Sequence, residues 1–342
     1  MFVALRDIRY AKGRFALMSG VVTLITFLIV FLSGLTAGLA DQNISAVQRL
    51  PATHLAFDAE TGRSFGDGGV TDRQVEQWRR QPGVRSAHPL GITQTRARAD
   101  GTGLGVTVFG GPDAGVLLSR TAATALRVSA GDPIEIGGER LTVTRITADR
   151  WYSHTPVVRI PLDAWRKLDG ARPGVAGTVI ALRLEDGVDP AAGDRAARTL
   201  TATTGDAVDA IGSYSAENGS LTLMRGFLFA ISALVIGAFF TVWTVQRRGD
   251  IAVLRALGGS GGYLVRDALV QALLVLAAGA GLGGAAGAAA GAVASGSVPF
   301  ALTLSTTLAP ALGMIALGML GAALAVYRIT SVDPLTALGA AR

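Results

Sequence analysis

The sequence predicts an α-helical membrane protein, with four transmembrane helices and an α+β extracytoplasmic domain inserted between helices 1 and 2. Three observations carry this. Half of the 342 residues are hydrophobic and only 16% are charged, with a mean hydropathy of +0.43. The runs Phe15 to Ala40, Gly226 to Gln246 and Ala268 to Tyr327 contain no Asp, Glu, Lys or Arg. Between the first two runs lies a stretch of roughly 180 residues with mixed strand and helix patterns, large enough to bury a core of its own.

Residues 1–14 are expected as a cytoplasmic entry segment bearing Arg6, Arg9, Lys12 and Arg14. A bilayer core takes about 20 helical residues, so 15–40 and 223–246 read as single spans. The third run is too long for one span and is broken near Ser295 to Phe300. It divides into spans at 266–294 and 304–328 joined by an uncharged turn. Lys and Arg concentrate on cytoplasmic flanks. Arg247, Arg248, Arg255 and Arg266 lie between spans two and three, and Arg328 and Arg342 follow span four. Both termini, the connector 247–265 and the tail 329–342 are therefore expected in the cytoplasm, with 41–222 outside the cell membrane. A cleaved signal peptide is the rival reading of span one, because Gly38-Leu39-Ala40 offers a small-x-small site. The apolar run, however, exceeds the about 7–15 residues of a signal h-region.

The net charge of +6 and pI near 10.3 do not point to nucleic acid, because much of the basic excess sits on cytoplasmic flanks. No cysteine is present, which removes disulfides, thiolate zinc sites and thiol catalysis together.

Within 41–222, Thr53 to Ala59 alternates like a strand, and Thr71 to Gln81 has helical spacing with Thr71 as its cap. Ser129 to Ile146 reads as a hairpin in which Pro133 to Ile136 pairs with the run from Leu141 and Gly137-Gly138 closes the loop. A second helix is expected over Pro161 to Leu168, with Trp165 pointing inward.

The connector is the odd segment. A helix from Arg247 to Leu257 places Ile251, Leu254 and, less squarely, Leu257 on one side and Arg247, Arg248 and Arg255 round the rest. Periodicity leaves two readings open: an anchor in the lipid interface, or a docking helix for a cytoplasmic partner.

The run Arg247 to Leu264, RRGDIAVLRALGGSGGYL, resembles the coupling segment of the MacB/FtsX family (type VII) of ABC transporter permeases, whose pattern is RR.EIA.LRALG.S. Asp250 stands where that family usually has Glu. Val116 to Gly138 looks like the family's S..LA..L....GD.I...G element, Ser331 to Leu338 resembles its..DP..AL ending, and Ala4 to Leu17 is similar to its amphipathic start. The resemblance covers nearly the whole chain in order. It implies a mechanotransmission permease: a homodimer of this chain, in contact with membrane lipid, bound to two copies of a separate ATPase subunit that holds ATP-Mg. Arg247, Arg248, Asp250, Ile251, Leu254, Arg255, Leu257 and Gly258 would form the coupling contact. The chain itself is then no enzyme. It shows no G-x-x-x-x-G-K-[ST] motif, and the GGSGGY run lacks the phosphate-reaching lysine.

Gly279, Gly283, Gly287 and Gly291 recur every four residues in span three, a stripe that allows close helix packing in lipid. Gly34 and Gly38 make the same offer in span one.

The stretches GLTAGLADQN, LGITQTR and RGFLFAISALVIGAFF look most like the haem-efflux permeases of the HrtB type from Gram-positive bacteria. Haem needs an iron ligand, apolar ring contacts and cations for its propionates. Tyr214, Glu217, Asn218, Met224 and Arg225 cluster at the approach to span two, with Phe227 and Phe229 available to the ring. The resemblance makes Glu217 the candidate iron ligand, and no other metal site is expected. Met18 is a poorer candidate. His54, His88 and His154 read as isolated histidines, of which His154, beside Trp151 and Tyr152, is the one to test. Two other classes stand beside a haem exporter. One is a non-transporting FtsX-like or peptide-resistance permease that passes ATPase motion to an extracytoplasmic protein. The other is a membrane enzyme, for which no catalytic set is visible.

Overall fold

The computed structural model describes residues 12–168, 174–246 and 261–330. Most of the expected entry segment and the end of the cytoplasmic tail therefore lie outside the described residues. The chain divides into two units, one of residues 39–219 and one of residues 1–38 with 220–342.

In order, the elements are α1 (Lys12–Gln48), β1 (His54–Asp58), α2 (Asp72–Arg79), β2 (Val84–Ala99), β3 (Thr102–Gly111), β4 (Val116–Ser119) and α3 (Arg120–Leu126). Then follow β5 (Pro133–Ile136), β6 (Glu139–Thr147), β7 (Trp151–Tyr152), β8 (Thr155–Pro161), α4 (Leu162–Trp165), β9 (Val179–Leu184), α5 (Ala191–Ala197) and β10 (Thr199–Thr203). The last three are the long helices α6 (Gly212–Gln246), α7 (Gly261–Ala294) and α8 (Leu304–Thr330).

The unit of residues 39–219 is built on a ten-stranded sheet in the order β10-β1-β9-β2-β3-β8-β4-β6-β5, with β7 paired to β8. Strand β2 is shared. Its first half, Val84 to Leu90, pairs with β9, and its second half, Gly91 to Ala99, pairs with β3. Its end pairs again with β5 through Ala97↔Ile136 and Arg98↔Glu135, so β2, β3, β8, β4, β6 and β5 close into a ring. Val106, Leu118, Leu126, Ile136, Val158 and Ile160 belong to its buried core.

Trp165 shows why the changeover in β2 falls where it does. Gly91 and Gly110 are register partners on β2 and β3, and a Cβ on either would run into the Trp165 ring. Two facing residues without side chains leave a flat patch of backbone on which the indole lies, and its Nε1 donates to Thr93 Oγ1 at 2.9 Å. The helix expected over Pro161 to Leu168 is a single turn, Leu162–Trp165, with Trp165 buried. Thr71 caps α2 in a reciprocal box with Gln74. The hairpin of β5 and β6 pairs Pro133 with Thr142 and Ile136 with Glu139, and its turn glycines Gly137 and Gly138 both have positive φ.

Among the described residues, Phe15–Gln48, Gly212–Val242, Val265–Ala294 and Leu304–Val326 are the four stretches long and apolar enough to cross a membrane. Helix α1 continues past the apolar run that ends at Ala40, as far as Gln48. In the helical unit, Met18, Val22, Ile29, Ile236, Phe240, Leu276, Ala280 and Met314 form the core. Large apolar side chains such as Leu234, Leu282, Val293 and Leu304 face outward, as lipid-facing residues do.

The glycine stripe of α7 lies against α1. A Cβ at Gly279 would sit 2.8 Å from Val22 Cβ, and one at Gly287 would sit 3.0 Å from Val30 Cγ1. At Gly283 it would meet the Thr23 carbonyl oxygen, and at Gly291 the Phe300 ring. Phe300 also occupies the space over Gly34, while the Pro299 carbonyl fills that over Gly38. The Ala301 amide donates to the Gly34 carbonyl at 3.0 Å.

Candidate functional site: a hairpin tip clamped between two helices

The segment Asp149 to His154 follows the last two turns of α1. Arg49 Nη1 donates to the Asp149 carbonyl, Arg150 Nη1 donates to the Arg49 carbonyl, and the Trp151 amide donates to Ser45 Oγ, each at 3.0 Å. The amides of Ser153 and His154 then donate to the carbonyls of Asn43 and Gln42, both at 3.0 Å. Burial, with Arg159 and Arg49 close by, lowers the Arg150 pKa from its ordinary value.

Ser153 and His154 are the two central residues between paired Tyr152 and Thr155. Both have positive φ, 48° and 61°, as a two-residue hairpin turn that follows the strand twist requires. Gly meets that requirement at no steric cost and Asn at low cost, whereas Ser is rarely found there. Non-glycine residues held this way persist where their surroundings over-determine them, and here the contacts to α1 and α6 do so.

Five side chains, those of Asn43, Ser153, His154, Ser213 and Glu217, complete the clamp. Ser213 Oγ donates to Asn43 Oδ1 at 2.8 Å, so the proton between Ser153 Oγ and Ser213 Oγ, 2.9 Å apart, comes from Ser153. Asn43 Nδ2 donates to Glu217 Oε2 at 3.0 Å. His154 Nε2 lies 3.0 Å from Glu217 Oε1 and also 3.0 Å from Asn43 Nδ2. With the Asn43 oxygen taken by Ser213, its nitrogen is a donor, and a carboxylate is an acceptor. A proton on His154 Nε2 is directed at Glu217, so that the ring and Asn43 Nδ2 both donate to the one carboxylate. Asn43 is buried, while His154 and Glu217 keep 35% and 42% of their side chains exposed.

His154 is thus not isolated, contrary to the expectation from sequence: it bonds Glu217, 63 residues on, and through that carboxylate joins Asn43, 174 residues before it. Sequence reasoning also missed Asn43, Ser153 and Ser213. Of the other expected site residues, Tyr214 packs on the core of this unit and Asn218 is half-buried. Met224 and Phe227 belong to the helical unit and are 55% and 65% exposed, with Arg225 half-buried. Arg247, Arg248, Asp250, Ile251, Leu254, Arg255, Leu257 and Gly258 lie outside the described residues. Among the described residues, no group of three or more His, Cys, Asp or Glu could hold a metal ion.

Two family models match the chain: the MacB-like periplasmic core domain over residues 15–200 and the FtsX-like permease C-terminal model over residues 223–334. A Staphylococcus epidermidis protein named as a putative hemin transport system permease, HrtB, is 22% identical over 99% of each chain. An uncharacterized ABC transporter permease of Mycobacterium bovis is 23% identical, again over 99% of each chain. The crystal structure of the periplasmic region of MacB from Actinobacillus actinomycetemcomitans is 12% identical with a TM-score of 0.36, covering 46% of this chain and 90% of that one.

Proposed function

We propose a function from one premise: the chain belongs to the MacB/FtsX family of ABC transporter permeases, a membrane protein whose relatives are permease subunits served by a separate ATPase. The reading is that it exports haem, or a similar flat amphiphile, by mechanotransmission. It works as a homodimer with two ATPase copies, both termini in the cytoplasm. The connector from Arg247 to Gly258 receives the motion of the ATPase.

One observation carries the mechanical part: the hairpin tip at Ser153-His154 is bonded to α1 through Gln42 and Asn43 and to α6 through Ser213 and Glu217. A relative shift of these two helices must break or re-aim this network, so the outer domain senses the shift. The cargo part is supported by the full-length likeness to a permease named for hemin transport. Glu217, with its half-exposed carboxylate, is the residue assigned to haem iron. To take iron it would exchange a bond from Asn43 or His154.

The test is reconstitution of the chain with its ATPase in proteoliposomes. Haem is expected to stimulate ATP hydrolysis, and Glu217→Ala to weaken haem binding at least about tenfold. Absence of stimulation together with unchanged haem binding in Glu217→Ala would refute the cargo. Stimulation by an extracytoplasmic protein instead would favour the FtsX-like alternative.

A further inference from the structure

A cavity of about 310 Å³ is lined by Tyr152 of the same hairpin together with Phe65, Ile92, Thr93, Trp165 and Val175 among others. It lies wholly within the unit of residues 39–219, and its size falls at the lower end of small-molecule sites. Phe65, Tyr152 and Trp165 are its aromatic lining, and Thr93, Gln94 and Thr178 are its polar side chains. The Phe65 and Tyr152 rings meet edge-on at 5.8 Å, and Tyr152 meets Phe109 in the same way.

The polar groups of the wall are more informative. Thr178 Oγ1 is engaged with both the amide and the carbonyl of Ile92. Thr93 Oγ1 accepts from Trp165 Nε1, which leaves its own proton to give. The Tyr152 residue as a whole is 7% exposed, with its ring against Phe65 and Phe109. Among the described residues the one buried side-chain polar atom without a partner is Thr26 Oγ1, so the Tyr152 hydroxyl is accessible, and it borders the cavity, where it is free to donate. Burial raises its pKa well above the ordinary value, so it is a neutral donor. Among the described residues no Asp, Glu, Lys, Arg or His lines the cavity, so these residues offer a charged guest no counter-charge.

We propose that this cavity binds an uncharged, planar carbonyl compound, its ring between Phe65 and Trp165 and its oxygen accepting from Tyr152 and Thr93. Tyr152 immediately precedes the strained Ser153-His154 turn, so an occupant would bear on the residue that leads into the clamp. The site is separate from Glu217 and does not depend on haem as cargo.

The probe is benzamide, with benzoate and benzamidine as charged counterparts, measured by saturation-transfer NMR on the full chain in nanodiscs. Benzamide is expected to bind and the two ions are not. Tyr152→Phe, which keeps the ring contacts, should weaken benzamide about three- to tenfold, and Val175→Phe should abolish binding by filling the space. If benzamide gives no signal, if the ions bind equally, or if both variants bind as the wild type does, the proposal is overturned. Haem-stimulated hydrolysis is scored separately, so either result stands without the other.

Discussion

Replacing Gly283 with Ala tests whether α7 and α1 are in backbone contact. The new Cβ would lie 2.9 Å from Thr26 Cβ and 3.0 Å from the Phe27 amide nitrogen, and closer still to the Thr23 carbonyl oxygen. Carbon atoms rest at about 3.5–4.0 Å, and two of these three neighbours are backbone, so no rotamer change relieves the clash. The helices must part by several tenths of an ångström along the stripe. Overpacking of this kind costs about 1–3 kcal/mol, against up to about 1 kcal/mol gained by removing a glycine from a helix. Gly284 provides the control one residue away, because its Cβ would make an ordinary 3.7 Å contact with Ala311 Cβ. Gly284→Ala therefore keeps the propensity gain alone. In SDS-induced unfolding of the purified chain followed by circular dichroism, Gly283→Ala should be less stable than Gly284→Ala by about 2 kcal/mol. Equal stabilities, or the reverse order, would refute close backbone packing at this stripe.

Two further outcomes are expected in the unit of residues 39–219. Asn43→Ala removes the centre of the clamp and strands Ser213 and part of Glu217, costing about 1–3 kcal/mol, measured as faster hydrogen exchange at Ser153 and His154. Trp165→Ala empties the patch over Gly91 and Gly110 and should cost about 3–5 kcal/mol in thermal unfolding; a loss under about 1 kcal/mol would contradict the packing described.

The parts legible in the sequence are those with a local signal. Uncharged runs mark the long helices, because hydrocarbon excludes charge along a contiguous segment. Thr71 with Gln74, and Gly137-Gly138 between two alternating runs, announce a cap and a turn within a few residues. The ring of strands carries no such mark: β3 with β8 and β4 with β6 are parallel pairs joined over long connections. The clamp was illegible for two reasons. Its members stand up to 174 residues apart, and Ser153-His154 lacks the Asn or Gly by which such a turn is usually recognised. Ala40 ends the apolar run without ending α1, since polar residues continue a helix readily once the bilayer is left behind.

The closure of the strand ring has a mechanical corollary. Two residue pairs, Ala97 with Ile136 and Arg98 with Glu135, stitch β2 to β5, helped by one bond from the Gly137 amide to the Arg96 carbonyl. The Arg98–Glu135 ion pair is solvent-facing at 3.8 Å and adds little. Under tension this seam and the equally short junction of β4 with β8, Leu117 with Arg159 and Leu118 with Val158, are where the cylinder would unzip, while the nine-rung junction of β2 with β3 holds as its spine.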